Sequence, residues 1–396
     1  MKNGAVVAES SERLEEVGSL ALLGAVGALQ FSIAVGQILL TVAIVCWVLL
    51  LVTRREPFVA PRMFWPLAGY AGLTLISAVF SPEPRTSLID CKQLVLFIVV
   101  PVTYRFVTET RAHVLVSVAL SFGAVSAAYG IFQYAILHYD NLGQRPQGTL
   151  GHYMTYSGLL MLMIGAALAR VLFAGRERVW AGLVMPALLV ALALTLSRSA
   201  WVGACAAAAV LLTLKDFRML AILPVLAALL LASAPTTVQA RFMSIFNMQD
   251  PTNRDRIAMI REGEEMIRTH PLVGVGPNMV ERLYPLYRVP DAVEKVNPHL
   301  HNVPIQIAAE RGLPALAVWT AFIAILAVDL MRTFRTDRGR SLAAGGLAAM
   351  VAMLAAGLFE YNFGDSEFLI LFLVLITLPF AATRTAQDRS LAFTGS

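Results

Sequence analysis

Along most of this chain apolar residues arrive in unbroken blocks of roughly 15–25, the length that crosses a bilayer as a helix. The blocks fall near 17–32, 34–52, 64–80, 93–108, 112–138, 153–174, 179–196, 200–214, 217–234, 313–330, 341–359 and 367–383. Lipid offers the backbone no hydrogen-bond partners, so each block must satisfy its own, which means helix. Only 14% of the 396 residues are charged and 58% are hydrophobic, against about a quarter charged in a soluble domain. The expectation is an all-α polytopic membrane protein with about 12 transmembrane helices. Two blocks are weak: 93–108 is short and contains Pro101, and the first two meet so tightly at Phe31–Ser32 that a re-entrant hairpin is an alternative.

Basic residues fix the orientation, because cytoplasmic loops carry the excess of Lys and Arg. With the N-terminus inside, Arg54, Arg55, Arg62, Arg105, Arg111, Arg176, Arg178, Lys215, Arg218, Arg332, Arg335, Arg338, Arg340, Arg384 and Arg389 all face the cytoplasm. The short outer loops hold Arg85, Lys92, Arg145 and Arg198. This asymmetry expects an even number of spans with both termini cytoplasmic. The net charge of +5 then reflects topology and gives no reason to infer nucleic-acid binding. Met1 to Glu16 is polar and charged, with no cleavable signal evident. Cys46, Cys91 and Cys205 show no paired spacing, against both a disulfide framework and a zinc site.

One connection is long. The chain divides into an N-terminal bundle (1–234), a periplasmic loop (235–312) and C-terminal helices with a cytoplasmic tail (313–396). A loop of that length is usually functional or disordered, and this one has helical periodicity. Ile257, Ile260 and Ile267 share a face, Asn253 reads as the N-cap, and Pro271 with Gly274 and Gly276 ends the helix. Arg261/Glu265 and Glu264/Arg268, four apart, read as a solvated face. A second helix is expected from Asn302 to Arg311 before Gly312-Leu-Pro314. The loop is read as folded, amphipathic and lying on the outer membrane surface.

Three features could carry chemistry. Arg198, in Ser197-Arg198-Ser199 at an outer span end, is either a snorkelling anchor beside Trp201 or an anion ligand. Arg254 and Arg256, placed in the first turn of the loop helix, oppose the helix dipole. They suit a phosphate held with the backbone N–H groups, or salt bridges to Asp250 or Asp255. His299 and His301, in Asn297-Pro298-His299-Leu300-His301-Asn302, are two of the chain's six histidines. Metal ligation would need converging ligands that the neighbouring sequence lacks, so a neutral imidazole taking a proton near pH 7 is the more economical use. No P-loop, dinucleotide-binding glycine pattern, serine-hydrolase elbow or Asp-x-Asp motif occurs.

In their order and spacing these motifs resemble the O-antigen ligase/polymerase superfamily of bacterial membrane glycosyltransferases. The residues are Ser197-Arg198-Ser199, Asn253-Arg254-Asp255-Arg256, His270-Pro271-Leu-Val-Gly274-Val-Gly276-Pro277, His299-Leu-His301-Asn302 and Gly312, then Glu360-Tyr-Asn362-Phe-Gly-Asp365-Ser366. Ile260 departs from the Trp of many members. Within the superfamily the chain looks most like the lipopolysaccharide O-antigen ligases. The resemblance implies a GT-C-like fold in the bacterial inner membrane with a periplasmic active site. The activity it implies is inverting and metal-independent, without a cofactor: glycan moves from undecaprenyl diphosphate to the lipid A–core. It makes His301 the base and Arg198 and Arg256 the essential arginines, with Arg254, Arg288, His299 and Asn302 as substrate-binding neighbours. Expected partners are the carrier-linked O-antigen, the lipid A–core acceptor and membrane lipids. Arginine suits such a site because it is a permanent, fork-shaped cation that neutralises a leaving diphosphate.

The nearest alternative is an O-antigen polymerase, whose acceptor is a second carrier-linked glycan, and a protein O-oligosaccharyltransferase comes third. Ligases of this kind often carry a further C-terminal region, whereas this chain ends about a dozen residues after its last apolar block. A multi-span transporter would need paired charges and broken helices at matching places in two halves, and the sequence has no such symmetry.

Overall fold

The computed structural model describes residues 2–384, with side chains from Ser11 onward. Arg389 and the tail beyond Arg384 lie outside the described residues. In chain order the helices are α1 (Lys2–Ala28), α2 (Ile33–Arg54), α3 (Phe64–Val79), α4 (Pro84–Asp90), α5 (Val99–Phe106), α6 (Glu109–Ala135), α7 (Tyr153–Phe173) and α8 (Arg178–Leu194). They continue as α9 (Arg198–Lys215), α10 (Ile222–Ser233), α11 (Thr236–Met243), α12 (Pro251–Thr269), α13 (Val280–Tyr287), α14 (Val303–Phe334), α15 (Arg340–Gly357) and α16 (Ser366–Thr383). No strand occurs among the described residues.

Every apolar block of the sequence is helical here. Eight helical stretches are long and apolar enough to cross a membrane: α2, Pro84–Phe106, α6, α7, α9, α14, α15 and α16. Three more, α3, α8 and Phe217–Ser233, are apolar but shorter. The first block lies in α1, whose earlier turns carry Glu12, Arg13, Glu15 and Glu16. The chain is therefore a multi-pass, all-helical membrane protein with eight candidate spans by length and composition. Block 93–108 proves longer than its apolar run, because a 3-10 turn at Cys91–Ile98 joins α4 to α5. Pro101 falls in the first turn of α5, where a missing N–H costs little. At Phe31–Ser32 the chain turns sharply, with Ser32 capping α2.

The centre of the bundle is α7, α15 and α16, each more than two-thirds buried over its apolar window. Close approach depends on small residues: a Cβ on Gly203 of α9 would meet the Ala352 carbonyl of α15, and one on Gly165 of α7 would press on Ala348. In lipid, where tails are as apolar as leucine, such small-residue contacts are what hold helices together. The outer helices leave Val35, Ile38, Val45 and Val52 of α2 exposed.

At one end of the bundle the long loop folds around its own core of Met259, Met266, Val275, Met279, Val280, Tyr284, Leu300 and Ala309. Helix α12 starts at Pro251, not after Asn253. Asp250 is the N-cap, accepting from the Thr252 and Asn253 N–H groups, and Pro251 takes the first helical position. Arg254 and Arg256 consequently stand beyond the first turn, and a carboxylate already holds the N-terminal donors. The buried face of α12 is Asp255, Ala258, Met259, Glu262, Gly263 and Met266, with the three isoleucines half-buried beside it. The two expected i,i+4 pairs do not form: Arg261 reaches Asp291 at 2.9 Å and Arg268 reaches Glu265 at 3.6 Å. The helix expected from Asn302 does form. Asn302 caps Val303–Arg311, and Gly312 (φ 82°) breaks the helix before the membrane segment.

The segment after α12 is pinned beneath this break. Val275 and Gly276 donate to the Ala309 and Glu310 carbonyls at 2.8 and 2.9 Å. Gly274 (φ 68°) tolerates no side chain, since a Cβ would run into the Glu310 carbonyl. Directly below, Glu310 and Arg311 form a buried pair at 2.7 Å, and Ser77 of α3 donates to the Glu310 carbonyl.

Candidate active site

Arg198 is the first residue of α9, and it is 5% exposed. Its guanidinium donates to the Ser244 carbonyl at 3.1 Å and hydroxyl at 3.0 Å, and pairs with Asp250 at 3.3 Å. It is thus neither a snorkelling anchor nor a free cation: it ties the end of the bundle to the start of α12. Asp250 is held below its ordinary range: burial opposes this, but Arg198, the Asn253 N–H and Arg241 outweigh it.

Arg256 differs. It is half-buried, donates no hydrogen bond to any described residue, and lies 5.9 Å over the Phe359 ring. Burial lowers its pKa, with Glu360 opposing and Arg198 adding to the fall. The carboxylate next to it, Asp255, does not pair with it. Asp255 instead accepts from the Val293 and Glu294 N–H groups at 3.1 and 3.0 Å and from Asn297 at 3.3 Å. That network folds the 293–297 segment back over α12.

His301 is set by its neighbours on both sides. The Leu300 N–H donates to Gln306 at 2.7 Å, and Asn302 caps α14 while donating to the Leu358 carbonyl at 3.1 Å. His301 between them adopts a left-handed backbone (φ 47°), as does Leu196 (φ 55°) just before Ser197-Arg198. Such conformations cost about 1–3 kcal/mol each and persist where surrounding structure enforces them, often at functional sites. The tether to Leu358 brings Glu360 against the histidines. One oxygen of Glu360 lies 3.0 Å from His301 Nδ1 and 3.2 Å from His299 Nε2, and it also accepts from the Tyr361 N–H. Burial would raise the Glu360 carboxyl, but His301 and His299 outweigh it and hold the group well below the usual carboxylate range.

These residues converge on a cavity of about 350 Å³ lined by Arg145, Arg198, Arg241, Arg256, Tyr153, His301 and Glu360 among others. Arg145 lies 4.1 Å over the Tyr153 ring, and Arg241 of α11 donates to the Leu196 carbonyl. Burial, then Arg198 and Arg145, push the Arg241 pKa down to about 10. Four guanidiniums crowd one small space, and an anion between them would relieve the repulsion.

The site brings together Arg198, Arg256 and His301 from the sequence reading. His299 faces the same carboxylate from a neighbouring cavity. Asn302 acts through the backbone, as cap and tether. Arg254 is exposed and outside both cavities, and Arg288 spends its donors on the Glu294 and Ala292 carbonyls, bracing the loop. Sequence reasoning missed Arg145 and Arg241, and it gave Glu360 no role although its motif was noticed. His299, His301 and Glu360 also bring three ligand atoms within 4.8 Å of one another, a set that could hold a metal ion. In the present arrangement both imidazoles address the same carboxylate oxygen.

Residues 183–320 match the family model described as O-antigen ligase. The resemblance drawn from the motifs is borne out. The matched segment runs from α8 into α14 and carries Arg198, Arg241, Arg256 and His301, while Arg145, Tyr153 and Glu360 come from outside it. No curated protein matches the chain. The match implies an O-antigen ligase or polymerase type of activity, and the apolar helices fit lipid-linked glycan substrates.

Proposed function

We propose that this protein is an O-antigen ligase of the bacterial inner membrane, moving O-antigen polysaccharide from undecaprenyl diphosphate to the lipid A–core on the periplasmic face. The observation that carries this reading is the cavity where four arginines meet the His301–Glu360 pair. In this account all twelve apolar helices cross or enter the membrane in a GT-C-like arrangement with both termini cytoplasmic. Residues 235–312 form the periplasmic catalytic loop between bundles 1–234 and 313–396.

The arginines bind the diphosphate, Arg256 as the cation with no hydrogen bond to any described residue and Arg198 as the one fixed by Asp250. The acceptor hydroxyl attacks the anomeric carbon, its proton passes to His301 Nε2, and the electron pair of the breaking C–O bond leaves on the diphosphate. The configuration inverts. Because Nδ1 of His301 faces Glu360, Nε2 is the nitrogen left for the acceptor, and the carboxylate stabilises the imidazolium as it forms. Cations preorganised in a closed site act on the growing leaving-group charge without reorganising. The chemistry is complete without a metal, so the His299–His301–Glu360 set serves here as a proton-handling group.

The test is in vitro transfer with purified protein, undecaprenyl-diphosphate-linked glycan and rough lipopolysaccharide, with and without EDTA. A smooth-type ladder that survives EDTA and vanishes in His301→Ala supports the reading. Elongation of the carrier-linked glycan with unmodified lipopolysaccharide makes the protein a polymerase. Loss of activity in EDTA, restored by a divalent cation, assigns the three-residue set to a metal.

A further inference from the structure

The His301–Glu360 pair is not at the end of the arginine cavity but in a wall between two. On its other side lies a second cavity of about 430 Å³, inside the roughly 300–1,000 Å³ span of small-ligand sites. Met154, His301 and Glu360 line both cavities. Their electrostatics are opposed. The first holds four arginines beside the carboxylates Asp255, Glu294 and Glu360, whereas the second has no Lys or Arg in its lining to offset Glu360 and Asp365.

The second cavity has the chemistry of a neutral polyol site. Asp365, Thr155, His152 and His299 bring polar groups to its lining, and the half-buried Tyr361 adds an aromatic ring. Two oxygens in its lining residues, Glu360 Oε2 and Asn362 Oδ1, are buried and accept no hydrogen bond. Asn362 is 7% exposed, so this acceptor is sequestered in protein without a partner, which is unfavourable. Carboxylate and amide acceptors of this kind suit a ligand's hydroxyls, whereas a phosphate would meet two carboxylates.

We infer that this second cavity binds the acceptor, and that the accepting sugar is a neutral, unphosphorylated ring held by its hydroxyls through Asp365, His152 and the Glu360 region. The inference rests on the transferase reading and adds the geometry that inversion demands. The entering oxygen must approach the anomeric carbon opposite the leaving oxygen. A base in the wall between a phosphate-binding cavity and a hydroxyl-binding one meets that requirement: donor on the arginine side, acceptor on the carboxylate side, His301 between them.

The experiment measures KM separately for the undecaprenyl-diphosphate-linked glycan and for rough lipopolysaccharide, in wild type, Asp365→Asn and His152→Ala. Asp365 also caps α16 and accepts from Thr155; asparagine keeps a capping oxygen, and His152 is exposed at the start of α7, so its loss leaves the fold intact. Acceptor KM is expected to rise about tenfold in Asp365→Asn, the scale of one charge-assisted hydrogen bond, and severalfold in His152→Ala. Donor KM stays within twofold in both. Unchanged acceptor KM in His152→Ala and in folded Asp365→Asn, or a donor KM that rises instead, overturns the inference. A wild-type protein inactive with both substrates overturns the transferase reading itself, which is a separate result.

Discussion

The two walls of the site are built on opposite principles. On the arginine side, cations are pressed together, with Asp250 paired to Arg198, and Arg256 makes no hydrogen bond to any described residue. On the histidine side, one oxygen of a single carboxylate is shared by two imidazoles. The first wall gains from an anion, and the second holds its imidazoles in place through Glu360. The contrast teaches which groups bind and which act: a wall of crowded cations gains most when phosphate enters, while an imidazole oriented by a carboxylate is placed to take a proton.

The sharpest way to break this contrast is at its centre. His301→Ala should lower the transfer rate by about 10²–10⁴-fold, the usual worth of a positioned base, read as product formed per minute at saturating substrates. Next in size are the arginines, which should differ from each other. Arg256→Ala should cost about 10²–10³-fold in kcat/KM and change the melting temperature little, because Arg256 forms no hydrogen bond or ion pair with any described residue. Arg198→Ala should cost a similar factor in activity and also lower the melting temperature, since Asp250 and Ser244 lose their partner. Equal thermal stability of the two variants would erase the distinction between a free and a tied cation.

A smaller effect is expected at Glu360. Glu360→Gln should reduce kcat about 10–100-fold, less than the ~10²–10⁴-fold worth of the base itself, because the imidazolium that forms in transfer loses its anionic partner. The carboxyl is depressed in the folded protein, so its stabilising contribution is present above about pH 4.3, the ordinary glutamate value. That contribution is lost as pH falls through the lower folded value, and denaturation scans below pH 4 should show wild type losing more stability than Glu360→Gln. The smallest effect belongs to Arg254→Ala, which should leave transfer within about twofold, as exposed substitutions usually do. A large loss there would move the phosphate site out onto the surface of α12.

Much of the membrane part was legible, because apolar length is a direct physical requirement of a bilayer and every block became helix. Four blocks fell short of a spanning length or carried charge, which block reading alone does not separate. In the loop, the helix and its capped successor at Asn302 were legible from periodicity and caps. Its start was misplaced because Asp250-Pro251, a carboxylate followed by proline at the first helical position, is a stronger opening than Asn253. The ion pairs of α12 failed for a different reason: Asp291 comes from a folded-back segment and outcompetes Glu265 for Arg261.

At the site, His301, Arg198 and Arg256 were legible through the spacing of short motifs. Arg145 and Arg241 were not, since each is an isolated arginine in its own connection, and only folding places them beside Arg198. Arg288 stood in the right loop, but its fork satisfies two backbone carbonyls instead of facing the cavity. Glu360 illustrates the limit best. Its motif stood out in the sequence but gave no role, which becomes visible only when Asn302 draws the 358–361 segment toward the histidines.

The measurement that tests the division between the walls most directly is binding of undecaprenyl diphosphate to detergent-purified protein, followed by native mass spectrometry, in wild type, His301→Ala and Arg256→Ala. His301→Ala should bind as tightly as wild type while failing to transfer, and Arg256→Ala should bind at least about tenfold more weakly, as expected for loss of a charge-assisted contact. Binding lost in His301→Ala, or unchanged in Arg256→Ala, would contradict the assignment of phosphate to the arginine wall and proton transfer to the histidine wall.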